Sequence, residues 1–192
     1  MRLFVAVQPP PEAVAHLTAR VAGLRLAAAA AAGTNVRLAD PANAHVTLAF
    51  LGEVSDDRLG EVHTGLRLAA QGSHAGRHTP SHLRLAGGGR FGRGRCTVLW
   101  VGLDGDVEGL RVLARSIRSR LRHARLPHDE KPFHPHLTVA RPGDRLPPAD
   151  VEADLAALDD YRGPQWPASE LVLIHSQPGP RPTYDRLATW PL

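Results

Sequence analysis

Two short stretches constrain this chain more than any others: His45-Val46-Thr47-Leu48 and His136-Leu137-Thr138-Val139. Each reads histidine, apolar, threonine, apolar, and each is followed by a small or apolar run, Ala49-Phe50-Leu51 in the first case and Ala140 in the second. Alternation of this kind marks a strand with one buried face. Side chains two apart in a strand share a face, so His45 and Thr47 point one way while Val46 and Leu48 anchor the other. The same division holds for His136 and Thr138 against Leu137 and Val139. The chain must therefore fold so that two rigid strands each present an imidazole and a hydroxyl, and the repetition suggests two half-sites that face one another.

The order of elements supports this. Residues 2 to 8 alternate as a strand, and Pro9-Pro10-Pro11 opens a helix from about Glu12 that carries Val14, Leu17, Val21 and Leu24 and continues through the alanine run 27 to 32 to Gly33. A short strand over 36 to 39 and a turn over 40 to 43 lead into the first motif strand. A second amphipathic helix spans 56 to 70, and the polar segment 71 to 80, with His74 and His78, reads as a loop. Leu83 and Leu85 open a hairpin whose flexible tip is Gly87 to Arg95, and a strand resumes from Thr97 to Leu103. A third helix over 107 to 121 and a His/Pro-rich loop over 123 to 135 precede the second motif strand. A break at 142 to 148, a short acidic helix over about 149 to 158 and two strands, 169 to 176 and 184 to 190, joined by a Pro/Gly turn, complete the chain. The pattern is α+β, with the two halves forming lobes around a cleft.

At 192 residues with 43% hydrophobic content, the chain can bury one good core or two small lobes. Cys96 is the single cysteine, which rules out an intrachain disulfide. The amino-terminal apolar run is too short for a signal peptide, and no stretch approaches a membrane span, so the expectation is a cytoplasmic monomer with no membrane contact. All but one of the 23 basic residues are arginine, the exception being Lys131. Arginine forks match phosphate geometry, although a composition rich in Arg, Ala, Gly and Pro also follows from genomic base composition.

A pair of imidazoles across a cleft suits displacement at phosphorus. One takes a proton from water and the other protonates the departing oxygen. Thr47 and Thr138, on the same faces, can donate to the non-bridging oxygens as charge builds. Neither a metal nor a cofactor is needed for that scheme.

Both tetrads, with Arg2-Leu3-Phe4-Val5-Ala6-Val7, Leu48 to Val54, Phe133 to Arg141, Leu99-Trp100-Val101-Gly102 and Tyr184 to Trp190, resemble the 2H phosphoesterase superfamily, and within it the LigT-like (ThpR) RNA 2′,3′-cyclic phosphodiesterases. The resemblance runs nearly end to end. It implies a bilobal α+β fold, two antiparallel-sheet lobes with outer helices around a central cleft, the whole of 1 to 192 forming one domain whose pseudo-symmetric lobes each supply one motif. It implies hydrolysis of RNA or nucleotide 2′,3′-cyclic phosphates to 2′-phosphates and, in some members, reversible 2′-5′ RNA ligation. By analogy His45 is the proton donor and His136 the proton acceptor, with Thr47, Thr138 and Arg141 holding phosphate. Strict alternation turns Arg141 away from His136, so its role requires the strand to end or twist there. Leu38 and Ala44 replace a tryptophan and a leucine common in relatives. Alternation also sends Phe50 to the core, leaving Phe91 and Phe133 as candidates for base stacking.

Three other readings compete. His123, His128, Asp129, His134 and His136 crowd one region, but their spacing matches no metal-ligand pattern. The Arg-rich surface and the glycine tip suit an RNA-binding module without catalysis, against which stand four intact motif residues that binding alone does not need. Another phosphodiester, such as an ADP-ribose cyclic phosphate or a 2′-5′ oligonucleotide, remains open within the superfamily. The remaining histidines (His16, His63, His74, His78, His82, His175) lack a matched context.

Overall fold

The computed structural model describes residues 1–74, 81–179 and 182–192. Nine strands form two antiparallel sheets among them. Strands β1 (Arg2–Val7), β2 (Arg37–Leu38), β3 (Val46–Glu53), β4 (Ser81–Phe91), β5 (Val98–Gly105), β6 (His136–Arg141), β7 (Arg162–Ala168), β8 (Glu170–Gln177) and β9 (Thr183–Pro191) sort into the orders β3-β1-β8-β9 and β2-β6-β5-β4-β7. The first motif strand edges the four-stranded sheet, and the second lies inside the five-stranded one. Each sheet thus carries one tetrad.

The sheets do not divide the chain into an amino-terminal and a carboxy-terminal half. The four-stranded sheet takes two strands from each end of the chain, and the helices cross between sheets. Helix α1 (Pro11–Ala22) leaves β1 but packs on β7 of the other sheet, as α5 (Pro148–Asp159) packs on β4. Conversely, α4 (Val107–His123) leaves β5 and packs on β3 of the first sheet, alongside α3 (Leu59–His74). The crossings tie both sheets into one apolar core. Helix α4 shows why: Leu110, Leu113, Ala114, Ile117 and Leu121 recur at helical spacing and all are buried. Its first turn is closed by Asp106, whose side chain accepts from the Gly109 N–H at 3.1 Å.

Four local expectations need correction. The single helix from 12 to 33 is two helices, α1 and α2 (Arg25–Ala31), because Leu24 is extended between them. The break is held by Asp154 of α5, a carboxylate only 2% exposed that accepts from the N–H groups of Arg25 (2.8 Å) and Leu26 (2.9 Å). It caps α2 from another helix, a tertiary contact that local periodicity does not reveal.

The glycine run is not a hairpin tip. Strand β4 continues through Gly87-Gly88-Gly89 to Phe91, paired with β5 throughout save for one shift after Ala86. A Cβ on Gly88 would lie 2.4 Å from the Leu158 Cβ of α5, and one on Gly89 would lie 2.1 Å from the Trp100 ring. The two glycines let a helix and an indole lie directly on opposite faces of the strand.

Strand β7 departs from expectation, since Arg162-Gly163-Pro164-Gln165-Trp166-Pro167-Ala168 contains two prolines. It forms as the edge of its sheet, where a residue without an N–H is tolerated. The second helix extends to His74, beyond the expected end at 70, while the rest of the expected loop, with His78, and the centre of the expected Pro/Gly turn lie outside the described residues.

Candidate active site

The two motif strands are built alike. In both, the inward-outward alternation is interrupted one residue after the threonine. Along β1 and β3, Val5 pairs with Ala49 but Ala6 pairs with Thr47, so Leu48 is an extra residue. Along β5 and β6, Leu99 pairs with Ala140 but Trp100 pairs with Thr138, so Val139 is extra. Each is a β-bulge, and each puts two consecutive residues in the core: Leu48 and Ala49, Val139 and Ala140, all buried. The next residue is thereby returned to the histidine face.

That residue is Phe50 in one strand and Arg141 in the other. The expectation that Phe50 packs in the core is therefore wrong. Its side chain is 47% exposed and its ring lies 5.7 Å from Phe4, its cross-strand partner. Arg141 gains the position that unbroken alternation denied it, on the same face as His136 and Thr138. Its charge is close enough to help lower the His136 pKa.

Both imidazoles are oriented by the same hydrogen bond. His45 Nδ1 lies 2.7 Å from the Asn43 carbonyl oxygen, and His136 Nδ1 lies 2.7 Å from the His134 carbonyl oxygen. A carbonyl only accepts, so Nδ1 carries the proton in each ring. That leaves each Nε2 as the atom free to exchange a proton with a substrate. Burial pushes the His45 pKa down, against the rise from its carbonyl contact, and the charge on His136 lowers it further. Burial also lowers His136, followed by the neighbouring charges of His134 and Arg141. The two histidines therefore sense each other, although one stands at the start of each sheet's motif strand.

Aromatic rings flank both. His45 meets Phe4 at 4.9 Å and Tyr184 edge-on at 5.3 Å. His136 meets Phe91 edge-on at 4.8 Å and Trp100 at 6.1 Å, and Trp100 and Phe91 both contact His134. Of the two residues expected to stack a base, only Phe91 stands here. Phe133 is half-buried against the main core. Phe4, Phe50, Trp100, Tyr184 and His134 escaped the sequence reading as site residues. A signal existed for Trp100, because core residues Leu99 and Val101 on either side turn it to the opposite face.

Other histidines are accounted for elsewhere. His16 pairs with the Tyr161 hydroxyl at 3.0 Å, His63 lies edge-on to Trp190, and His175 lies 3.9 Å from Asp185. Asp129, from the crowded loop, instead ties the loop to β3: its carboxylate accepts from the Phe50 N–H and its own N–H donates to the Phe50 carbonyl. Among the described residues no three His, Cys, Asp or Glu side chains converge as metal ligands. None of the described helices is long and apolar enough to cross a membrane.

Two antiparallel sheets, each carrying one His-x-Thr-x strand to a common locus, define the class as α+β phosphoesterases. A model of the 2′-5′ RNA ligase superfamily matches residues 9–180. The RNA 2′,3′-cyclic phosphodiesterase of Thermus thermophilus is 30% identical over 203 residues, which cover 100% of this chain and 90% of that protein. A crystal structure of another Thermus thermophilus protein superposes with a TM-score of 0.75 at 28% identity, covering 100% of this chain and 98% of the other. Escherichia coli LigT complexed with 3′-AMP gives 0.70 at 27% identity, covering 100% and 97%. The chain belongs to the 2′-5′ RNA ligase superfamily, among the LigT-like 2H phosphoesterases.

Proposed function

We propose that this protein is an RNA 2′,3′-cyclic phosphodiesterase that opens cyclic phosphate ends to 2′-phosphates by acid-base catalysis between His45 and His136. The observation that carries the reading is the matched Nδ1 hydrogen bond, which supplies two rings with the same tautomer and the same reactive atom. Neutral His136 takes a proton from water at Nε2 as the water oxygen bonds to phosphorus. The bond from phosphorus to the 3′ oxygen breaks in line, and protonated His45 gives its Nε2 proton to that oxygen. Thr47, Thr138 and Arg141 then stabilise the charge on the non-bridging oxygens. The Nδ1–H to carbonyl contacts favour the charged ring and thus support the acid as well as the base.

Each motif comes from a different sheet of the same chain, which supports one domain of two pseudo-symmetric lobes acting as a monomer. The single cysteine, exposed Cys96, fits a cytoplasmic setting. An RNA 5′ hydroxyl attacking phosphorus in place of water accounts for 2′-5′ ligation within the same scheme.

The direct test is incubation of a short RNA ending in a 2′,3′-cyclic phosphate, in EDTA, with the product identified by its phosphate position. A 2′-phosphate is expected. A 3′-phosphate product, or activity lost to chelation, contradicts the proposal.

A further inference from the structure

A cavity of about 600 Å³ lies beside the catalytic locus, lined by Asn35, Arg37, Arg95, Arg141, Asp144 and Arg145 together with Pro142 and Gly143. Four guanidinium groups face one carboxylate there. Arg37 and Arg141 are direct cross-strand partners in the β2–β6 pair, so their side chains leave the same face of the sheet. Like charges in that arrangement repel, and neither has a carboxylate partner among the described residues. Asp144 is engaged instead by Arg95 at 3.1 Å and by Arg145 at 3.5 Å. Both ion pairs are largely exposed and so weakly held. The pocket keeps a surplus of three positive charges that nothing within the described protein neutralises.

Its position says which anion belongs there. Arg141 lines the cavity and also stands on the His136 face of β6, so an anion in the pocket lies next to one at the histidines. The side formed by Arg95 and Arg145 is open to solvent, as a passing chain requires. We propose that this arginine pocket binds the phosphodiester on the 5′ side of the terminal nucleotide, so that the protein acts on RNA chain ends in preference to cyclic mononucleotides. The inference rests on the function proposed above and names its substrate class. Asn35 adds an amide donor, and Asp144 acts as a counter-charge that the incoming phosphate displaces from Arg95 and Arg145.

The test compares kcat/KM for a 2′,3′-cyclic mononucleotide, which has no phosphodiester on its 5′ side, with that for a dinucleotide bearing the same cyclic end. Wild type should favour the dinucleotide. Arg37→Ala and Arg145→Ala should each reduce the dinucleotide value by about tenfold, the loss of one charge-assisted contact, and leave the mononucleotide value within about twofold. Asp144→Asn should raise the dinucleotide value. Equal losses on both substrates, or none on either, overturn the inference while leaving the proposed activity standing. If neither substrate turns over, the proposed activity fails and the pocket is judged by binding of a labelled oligonucleotide. There each arginine variant should reduce the slope of log K against log salt by about 0.7, and an unchanged slope overturns the inference.

Discussion

Replacing Gly89 by alanine should damage the fold and the site together. The added Cβ would lie 2.1 Å from one Trp100 ring carbon and 2.2 Å from a second. Carbon atoms rest at no less than about 3.5 Å, so the indole or the strand must move by about 1.4 Å. Neither is free to do so. Trp100 pairs with Thr138 across β5 and β6 and touches Phe91 and His134, and the far face of β4 is closed by Leu158 behind Gly88. Overpacking of this kind costs about 1–3 kcal/mol, and the lack of any relaxing direction places Gly89→Ala near 2–3 kcal/mol. Urea unfolding measures it directly. Trp100→Leu removes the ring, so the double variant should be less destabilised than the two single losses together by about 1–2 kcal/mol. Gly65→Ala in α3 serves as the control, since its Cβ would meet Arg120 Cβ at an ordinary 3.6 Å and alanine favours a helix interior by about 0.5–1 kcal/mol. Strict additivity of Gly89→Ala with Trp100→Leu, or a Gly89→Ala cost below about 0.5 kcal/mol, would refute the account of the glycine run.

Two further outcomes follow from groups outside that strand. Asp154→Ala leaves the buried Arg25 and Leu26 N–H groups without an acceptor and should cost about 3 kcal/mol in urea midpoint measurements, with Asp154→Asn, which keeps one acceptor oxygen, costing less; equal small losses would show that the cap is dispensable. Because burial and mutual charge depress both motif histidines, the bell-shaped kcat/KM profile should peak on the acid side of the ordinary histidine pKa, about 6.5. Binding of an anionic phosphate stabilises the protonated rings, so the kcat profile should lie at higher pH than that of kcat/KM. Arg141→Gln removes a positive charge beside His136 and should shift the His136 limb of the kcat/KM profile upward; a downward shift or none would show that Arg141 does not act on that ring.

How far the sequence could be read depended on how local each cause was. The tetrads, the α+β order and the amphipathic face of α4 follow from periodicities within a few residues, and the family resemblance follows from the tetrads with their flanks. The faces of Phe50 and Arg141 do not, because a bulge is fixed by pairing with a partner strand: Leu48 is extra only relative to β1, and Val139 only relative to β5. Gly88 and Gly89 look like a flexible tip until Leu158 and Trp100 are seen to occupy the space of the missing side chains. Asp154 breaks the expected long helix from more than a hundred residues away. Prolines 164 and 167 argue against a strand that forms because it is an edge. The aromatic surround of His45, from Phe4 and Tyr184 at opposite ends of the chain, is likewise a product of sheet order β3-β1-β8-β9.

The central claim is that two imidazoles from two sheets work as one catalytic unit on one phosphate. It is tested most directly by single-turnover hydrolysis of a 2′,3′-cyclic-phosphate RNA with wild type, His45→Ala, His136→Ala and the double variant, each checked for intact folding and RNA affinity. Each single variant should lose about 10²–10⁴-fold in rate, and the double variant little more than the worse single, because a unit broken once has little left to lose. A single variant that keeps near-wild-type turnover, or losses that multiply fully in the double variant, would contradict the shared acid-base pair.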